Sequence, residues 1–337
     1  MSGRRRLFGV LVTFRRPAAL ALTFERLAQQ DRVLDHLIVI DNAPTEASRA
    51  AVEAAGASAG SVEHLEMEDN LGFTGGVAAG MHRVLEIADD RDWIVVLDDD
   101  DPVPYLTIFS ELERFAEEML ARDDRTAGVG ISGGRFDWRR GRIRRVPDRE
   151  LQGSVRVDHV AGNQVPFYLV AAVREAGTFH APLFFGLSEI EFGLRLTRAG
   201  YSFYANGDIW RQRRGDAGRL GLDLRPAWRL GPTNWRRYYV LRNSIYMLRR
   251  FSHPGTALRV TAVNLLKPLI NLPVEPRLAT RHLAMNIRAT WDGWAGRMGL
   301  RVQPDSDARH ARKAGAAPVD AGSPADVSGT DVSQEAR

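Results

Sequence analysis

The stretch Trp93-Ile94-Val95-Val96-Leu97, running into Asp98-Asp99-Asp100-Asp101-Pro102, limits the fold more than any other part of the chain. A short apolar run bounded by turn chemistry predicts a strand buried on both faces of a parallel sheet. Proline has no N–H to give a ladder, so the strand stops before Pro102. Ligands of open α/β sheets gather at the carboxyl ends of strands, where these four carboxylates sit. Adjacent anions repel, and a hard divalent cation shared with a substrate diphosphate would compensate them. In extended chain, residues two apart share a face, so Asp98 and Asp100 point one way and Asp99 the other. A solvated acidic turn is the alternative.

The chain before this strand alternates. Leu7 to Thr13 reads as a strand, Phe14-Arg15-Arg16-Pro17 as a turn, and Ala18 to Gln30 as a helix with Leu20, Phe24 and Leu27 on one face. Leu37 to Ile40 is a second strand, ending in Asp41-Asn42. A short helix spans Ser48 to Ala55 and a third strand Val62 to Met67. A glycine-rich loop, Asn70 to Gly80, then leads into a helix over Met81 to Ala88. Strands alternating with helices predict a doubly wound α/β sheet. Beyond Asp101 come an amphipathic helix (105–121), short β pieces (127–160), an apolar strand (164–172), a helix (187–199) closed by Gly200, and a last strand (201–205). Arginine-rich helices follow at 235–251 and 258–272, the second interrupted or kinked by Pro268. The tail from 301 is small and polar and is expected to be disordered.

Composition narrows the classes. With no cysteine there are no disulfides, thiolate metal sites or thiol nucleophiles. A hydrophobic share of 44% and a charged share of 26% suit a soluble domain. Neither a signal peptide nor an 18-residue apolar run is evident, so a cytoplasmic location is expected, possible contact with the inner face of the membrane included. The net charge of +4 is carried almost wholly by arginine, favoured for phosphate contacts and equally produced by GC-rich coding.

Three strand ends, Thr13, Asp41-Asn42 and Asp98 onward, would open on one sheet edge. There Asp41 suits a base or ribose, and Arg15 or Arg16 a phosphate. Asp41-Asn42 before Pro44 is also a good turn. The glycines at 72, 75, 76 and 80 do not match GxGxxG, and serve either a ligand or close helix packing. In Ser188-Glu189-Ile190-Glu191, Glu191 and Arg195 are four apart and can pair, whereas Glu189 points elsewhere in the first helical turn. There a carboxylate suits the helix dipole or, alternatively, general-base work.

Together these pieces resemble the inverting family 2 glycosyltransferases over residues 7–212. Val12 to Pro17 looks like the opening strand and turn, and Ile38 to Asn42 like the nucleotide-binding strand. Asn70 to Gly76 looks like the Asn-x-Gly-x-x-Gly-Gly segment, Leu97 to Asp100 like the DxD motif, and Ser188 to Arg195 like the base motif. Tyr238 to Asn243 is similar to a Tyr-Tyr-x-x-Arg-Asn segment of the rhamnosyl- and galactofuranosyltransferase-like branch. The resemblance implies a GT-A fold over 1–212, with a nucleotide-sugar half to about 101 and an acceptor half after it, a helical extension over 213–300, and the tail over 301–337. It implies that Thr13, Arg15, Asp41, Asn70, Gly72, Gly75, Gly76, Asp98 and Asp99 line a nucleotide-sugar site. Asp98 and Asp100 would hold Mn²⁺ or Mg²⁺. Glu189 would be the base, with Glu191, Arg195 and Trp210 as support or acceptor contacts.

The implied reaction moves a sugar, galactofuranose or rhamnose first among candidates, from a UDP- or dTDP-donor to a glycan or polyprenyl-linked acceptor in bacterial polysaccharide or cell-wall assembly. Two departures stand out. The base position holds glutamate in place of the usual aspartate, and Ile209-Trp210-Arg211-Gln212 lacks the metal-ligand histidine common after the last strand. Segment 235–272 suits an anionic membrane, a lid or a homo-oligomer surface. The rivals are a degenerate binder without turnover and a sugar-1-phosphate nucleotidyltransferase. Nucleic acid is not expected, because an acidic cleft opposes it.

Overall fold

The computed structural model describes residues 4–99, 103–162, 165–222, 230–231 and 234–304. Within them, β1 (Leu7–Thr13), α1 (Pro17–Ala28), β2 (His36–Asp41), α2 (Glu46–Glu53), β3 (Val62–Glu66), α3 (Gly72–Ile87) and β4 (Trp93–Asp98) form the expected alternation. Next come α4 (Ile108–Arg122), β5 (Thr126–Gly130), β6 (Gly133–Asp137), β7 (Arg142–Arg144), β8 (Ser154–Val157), β9 (His159–Val160), β10 (Phe167–Leu169) and α5 (Val170–Ala176). Then follow α6 (Ser188–Arg198), β11 (Ser202–Asn206), α7 (Gly207–Asp216), α8 (Trp235–Arg250), α9 (Pro254–Asn271) and α10 (Pro276–Ala295).

Among the described residues the main sheet has eight strands in the order β3-β2-β1-β4-β10-β5-β11-β8. The β3-β2-β1-β4 half is parallel, and every residue of β1 is buried, as helices on both faces require. β10 runs antiparallel between β4 and β5, and β8 antiparallel beside β11. This is the mixed, mostly parallel α/β architecture expected.

Two local expectations are corrected. The apolar strand read at 164–172 is only Phe167–Leu169, because the chain turns into α5 at Val170. The glycine segment is not a loop, since α3 begins at Gly72. A Cβ on Gly76 would fall 2.8 Å from Val12 Cγ1, and one on Gly80 2.4 Å from Val10 Cγ1. These glycines let the helix lie close on β1, and that burial offsets their cost of about 1 kcal/mol each in a helix.

The chain divides into two compact units. The first takes residues 1–135, 146–182 and 188–220, and the second 136–145, 183–187 and 221–337. The expected tail lies outside the described residues from 305 onward. In the second unit α8 is a buried helix, with Tyr238, Tyr239, Arg242 and Asn243 fully covered. Arg242 and Asn243 both donate to Leu183 O, and Asn243 also to the carbonyls of Phe185 and Gly186. The Tyr-Tyr-x-x-Arg-Asn segment thus holds a stretch in which Phe184, Gly186 and Leu187 all have positive φ. α9 passes through Pro268 without a break. The proline removes the donor for Asn264 O, and Asn286 of α10 supplies it at 2.6 Å.

Candidate active site

The parallel register fixes the first half of the site. Thr13 pairs with Asp41 and Val12 with Asp98, so three strand ends lie side by side at the carboxyl edge. Asp99, just beyond β4, is buried and spoken for. Thr13 Oγ1 donates to its Oδ2 at 2.7 Å, Arg16 pairs with its Oδ1 at 3.2 Å, and Thr23 bonds its carbonyl. These contacts anchor the Asp99 carboxylate to β1 and the turn after it. Arg16 is drawn to that anchor. Arg15 stays exposed, at a φ of +56°, with its guanidinium 5.1 Å from the Phe14 ring centre.

Asp41 is fully buried at the end of β2. Its Oδ1 accepts from Ala43 N at 3.0 Å, while Oδ2 makes no hydrogen bond and lies 3.5 Å from His64 Nε2, likewise unpartnered. A buried carboxylate oxygen without a donor is costly unless something brings one. Asn42 carries the edge onward, accepting from Leu71 N and donating to Gly72 O. Asn70 caps Gly72 N at 2.9 Å, and Gly72 takes a φ of +69°. Asn70 and Gly72 thus shape the turn, and Gly76 faces β1 as described. A Cβ on Gly75 would meet Leu71 Cβ at 2.8 Å.

Thr74 joins the two halves, sharing a buried hydrogen bond with Ser188, the first residue of α6. Glu189 follows in the first helical turn. Protein atoms surround it closely while part of its surface stays accessible. Burial pushes its carboxyl above the usual glutamate range, and the N–H groups of Glu189 and Gly162 pull the other way. Gly162 was not among the residues expected here. A Cβ on it would fall 2.2 Å from Glu189 Oε1, so only glycine leaves the carboxylate room.

Glu191 is fully buried and pairs with Arg195 at 3.1 Å, and Arg195 also donates to the carbonyls of Ala176, Gly177 and Thr178 at the end of α5. Both are supports. Trp210 is buried in α7 under Arg214, whose guanidinium lies 4.7 Å from its ring centre. That placement packs it into the unit. Arg211, where a histidine was looked for, donates to Asp148 O.

Among the described residues no group of three His, Cys, Asp or Glu side chains is placed to hold an ion, and Asp100 lies outside them. Asp98 is partly exposed at the strand end, and a carboxylate oxygen there fits a hard cation in type.

The model of Glycosyl transferase family 2 matches residues 10–168. Residues 10–168 carry a domain of that family. Galactofuranosyltransferase GlfT1 of Mycobacterium tuberculosis strain H37Rv is 30% identical over 204 residues, 58% of this chain and 66% of that protein. The Mycolicibacterium smegmatis protein of the same name is 29% identical over 208 residues, with the same shares covered. The chain thus spans just under two thirds of the length of these relatives. The mannosyltransferase PcManGT of Pyrobaculum calidifontis, solved with GDP-Man and Mn²⁺, aligns over 87% of this chain and 88% of its own at 17% identity, with a TM-score of 0.47.

Proposed function

We propose that the protein transfers a sugar, with inversion, from a UDP- or dTDP-activated donor to a hydroxyl of a glycan or lipid-linked glycan. The observation that carries the reading is Glu189: a carboxylate whose burial raises its proton affinity, on a helix tied to α3 by the hydrogen bond of its neighbour Ser188 with Thr74. In this reading Asp41 Oδ2, buried without a donor, accepts from the nucleoside, and Arg15 meets phosphate from the exposed turn. Asp98 and Asp100 would hold a divalent cation, which when bound offsets charge on the departing diphosphate. Glu189 takes the acceptor hydroxyl proton, and the oxygen attacks the anomeric carbon opposite the diphosphate, which leaves.

The name of the mycobacterial relatives supports galactofuranose as the first donor to test. Lipid-linked acceptors would also suit the second unit, although not through α8. Many of the apolar residues left exposed there are on α9 and α10, with Leu258, Leu266, Ile270 and Trp291 among them. Among the described residues no helix is long and apolar enough to cross a membrane. A peripheral contact is the form such an association would take.

Calorimetric titration of UDP and dTDP, with and without Mn²⁺, on wild type and Asp98→Asn tests the donor half. Metal-dependent binding lost in the variant is expected, and absence of nucleotide binding under every condition would overturn it.

A further inference from the structure

Two buried groups beside Glu189 have no role in the reaction as described. Tyr168, on β10, is 1% exposed, and its hydroxyl makes no hydrogen bond. Its ring is held edge-on by Phe192 at 5.1 Å and by Phe179 and Phe203. An unpartnered buried hydroxyl costs about 1–3 kcal/mol, so packing alone would favour phenylalanine. Phe192, against which the ring packs, stands one helical turn beyond Glu189 on α6, and burial, with the charge of Glu189 second, pushes the phenol well above its ordinary range.

The second group is Gly162. Its φ is not in the left-handed region, so its backbone does not call for glycine. The space does: besides the 2.2 Å approach to Oε1, a Cβ would fall 2.7 Å from Glu189 Cγ and 2.8 Å from Cδ. Its N–H also bonds the carboxylate.

We propose that Gly162 and Tyr168 are positioning residues that together form the seat of the Glu189 carboxylate. Gly162 gives it room and a backbone donor, and Tyr168 turns a hydroxyl dipole toward its ionised form. The idea rests on Glu189 being the base. Other titratable groups on elements packed against α6 are engaged or neutral. His159 of β9 is held down at about 4 by burial and carries no charge near neutrality. On α5, Glu175 bonds Arg125 and Tyr201, and Arg174 pairs with Asp90. On β11, Tyr204 bonds Asp123. On α6 itself, Glu191 pairs with Arg195.

The test follows the Glu189 carboxyl by carbon-13 NMR in glutamate-labelled full-length protein, assigned by its loss in Glu189→Gln, alongside transfer kinetics from a UDP-galactofuranose donor. Tyr168→Phe is expected to move the Glu189 titration, and the acid limb of the rate profile, up by roughly half a unit or more. Gly162→Ala should lower kcat about 100-fold with donor KM and UDP binding unchanged, since an ångström of misplacement has that effect. Adding Glu189→Asp should recover part of that loss by retracting the carboxylate from the new methyl, a rescue that a merely structural glycine would not show. An unmoved titration in Tyr168→Phe, or wild-type kcat in Gly162→Ala, overturns the seat. Should Gly162→Ala not fold, the Tyr168→Phe titration decides alone. Transfer retained by Glu189→Gln would sink the base reading instead, and the NMR shift in Tyr168→Phe would still report on the seat.

Discussion

Two acidic clusters, one at the end of β4 and one at the start of α6, reach the same arrangement from different periodicities. On the strand, alternation sends Asp98 and Asp99 to opposite sides. Asp99 is tied down by Thr13 and Arg16, while Asp98 stays partly exposed. On the helix, Glu189 and Glu191 are about 200° apart; Glu191 is buried against Arg195 and Glu189 keeps an accessible edge. Each cluster spends one carboxylate on the scaffold and presents its neighbour. The compensation differs. At β4 a guanidinium and a hydroxyl hold the anchored acid, and its neighbour is an accessible carboxylate, a setting suited to cation binding. Around Glu189 the partners are backbone N–H groups, and desolvation raises its proton affinity, a setting suited to a base.

The comparison breaks most visibly at Glu189. Glu189→Gln should reduce transfer about 1,000-fold or more, the scale of general-base catalysis, with UDP binding by calorimetry unchanged. Because burial raises this carboxyl, the base is ionised only above the usual glutamate range. Transfer by wild type should therefore fall as pH drops through that raised value, not near pH 4. Glu191→Leu should act on the fold. Removing one partner of a buried pair costs about 3 kcal/mol, read as a lowered Tm, and transfer should persist at temperatures where the variant stays folded.

How much of this was legible depends on where the signal is written. The β1-β2-β4 edge could be read because buried parallel strands are continuous apolar runs ending in polar residues, and register does the rest. The Glu191–Arg195 pair follows from spacing alone. Other features depend on space. Gly162 matters because of an atom 27 residues away, and nothing in Ala161-Gly162-Asn163 announces it. The expected loop through Gly80 is helical because β1 accepts a helix without side chains there, a fact of tertiary contact. α10 escaped for a related reason. Its inward positions Ala279, His282, Asn286, Ala289 and Gly293 keep the helical period but are small or polar, so no apolar stripe marks them.

His159 sharpens the contrast at intermediate size. It is buried beneath α6, where a Cβ on Gly193 would meet its own Cβ at 2.6 Å, and burial holds it at about 4. A histidine depressed in the fold contributes stability above its unfolded value near 6.5, and that contribution is lost as pH falls from there toward 4. By pH 5 the loss should be about 2 kcal/mol, measurable in urea, and His159→Phe should flatten that stretch of the profile. Equal acid sensitivity in the variant would place the titrating group elsewhere.

The smallest effect expected lies at the other cluster. Thr13→Val keeps the shape of the side chain and removes the 2.7 Å hydrogen bond to Asp99, while Arg16 still pairs with the same carboxylate. With Arg16 still paired, the loss should be about 1 kcal/mol, and the curve should stay parallel to wild type between pH 7 and 5. Arg16→Gln should cost a similar amount, and the double variant more than the sum, since it alone removes both of these contacts from a buried carboxylate. Strict additivity would mean that Thr13 and Arg16 do not share the task of holding Asp99, and the anchored-and-presented pairing at β4 would then lose its physical basis.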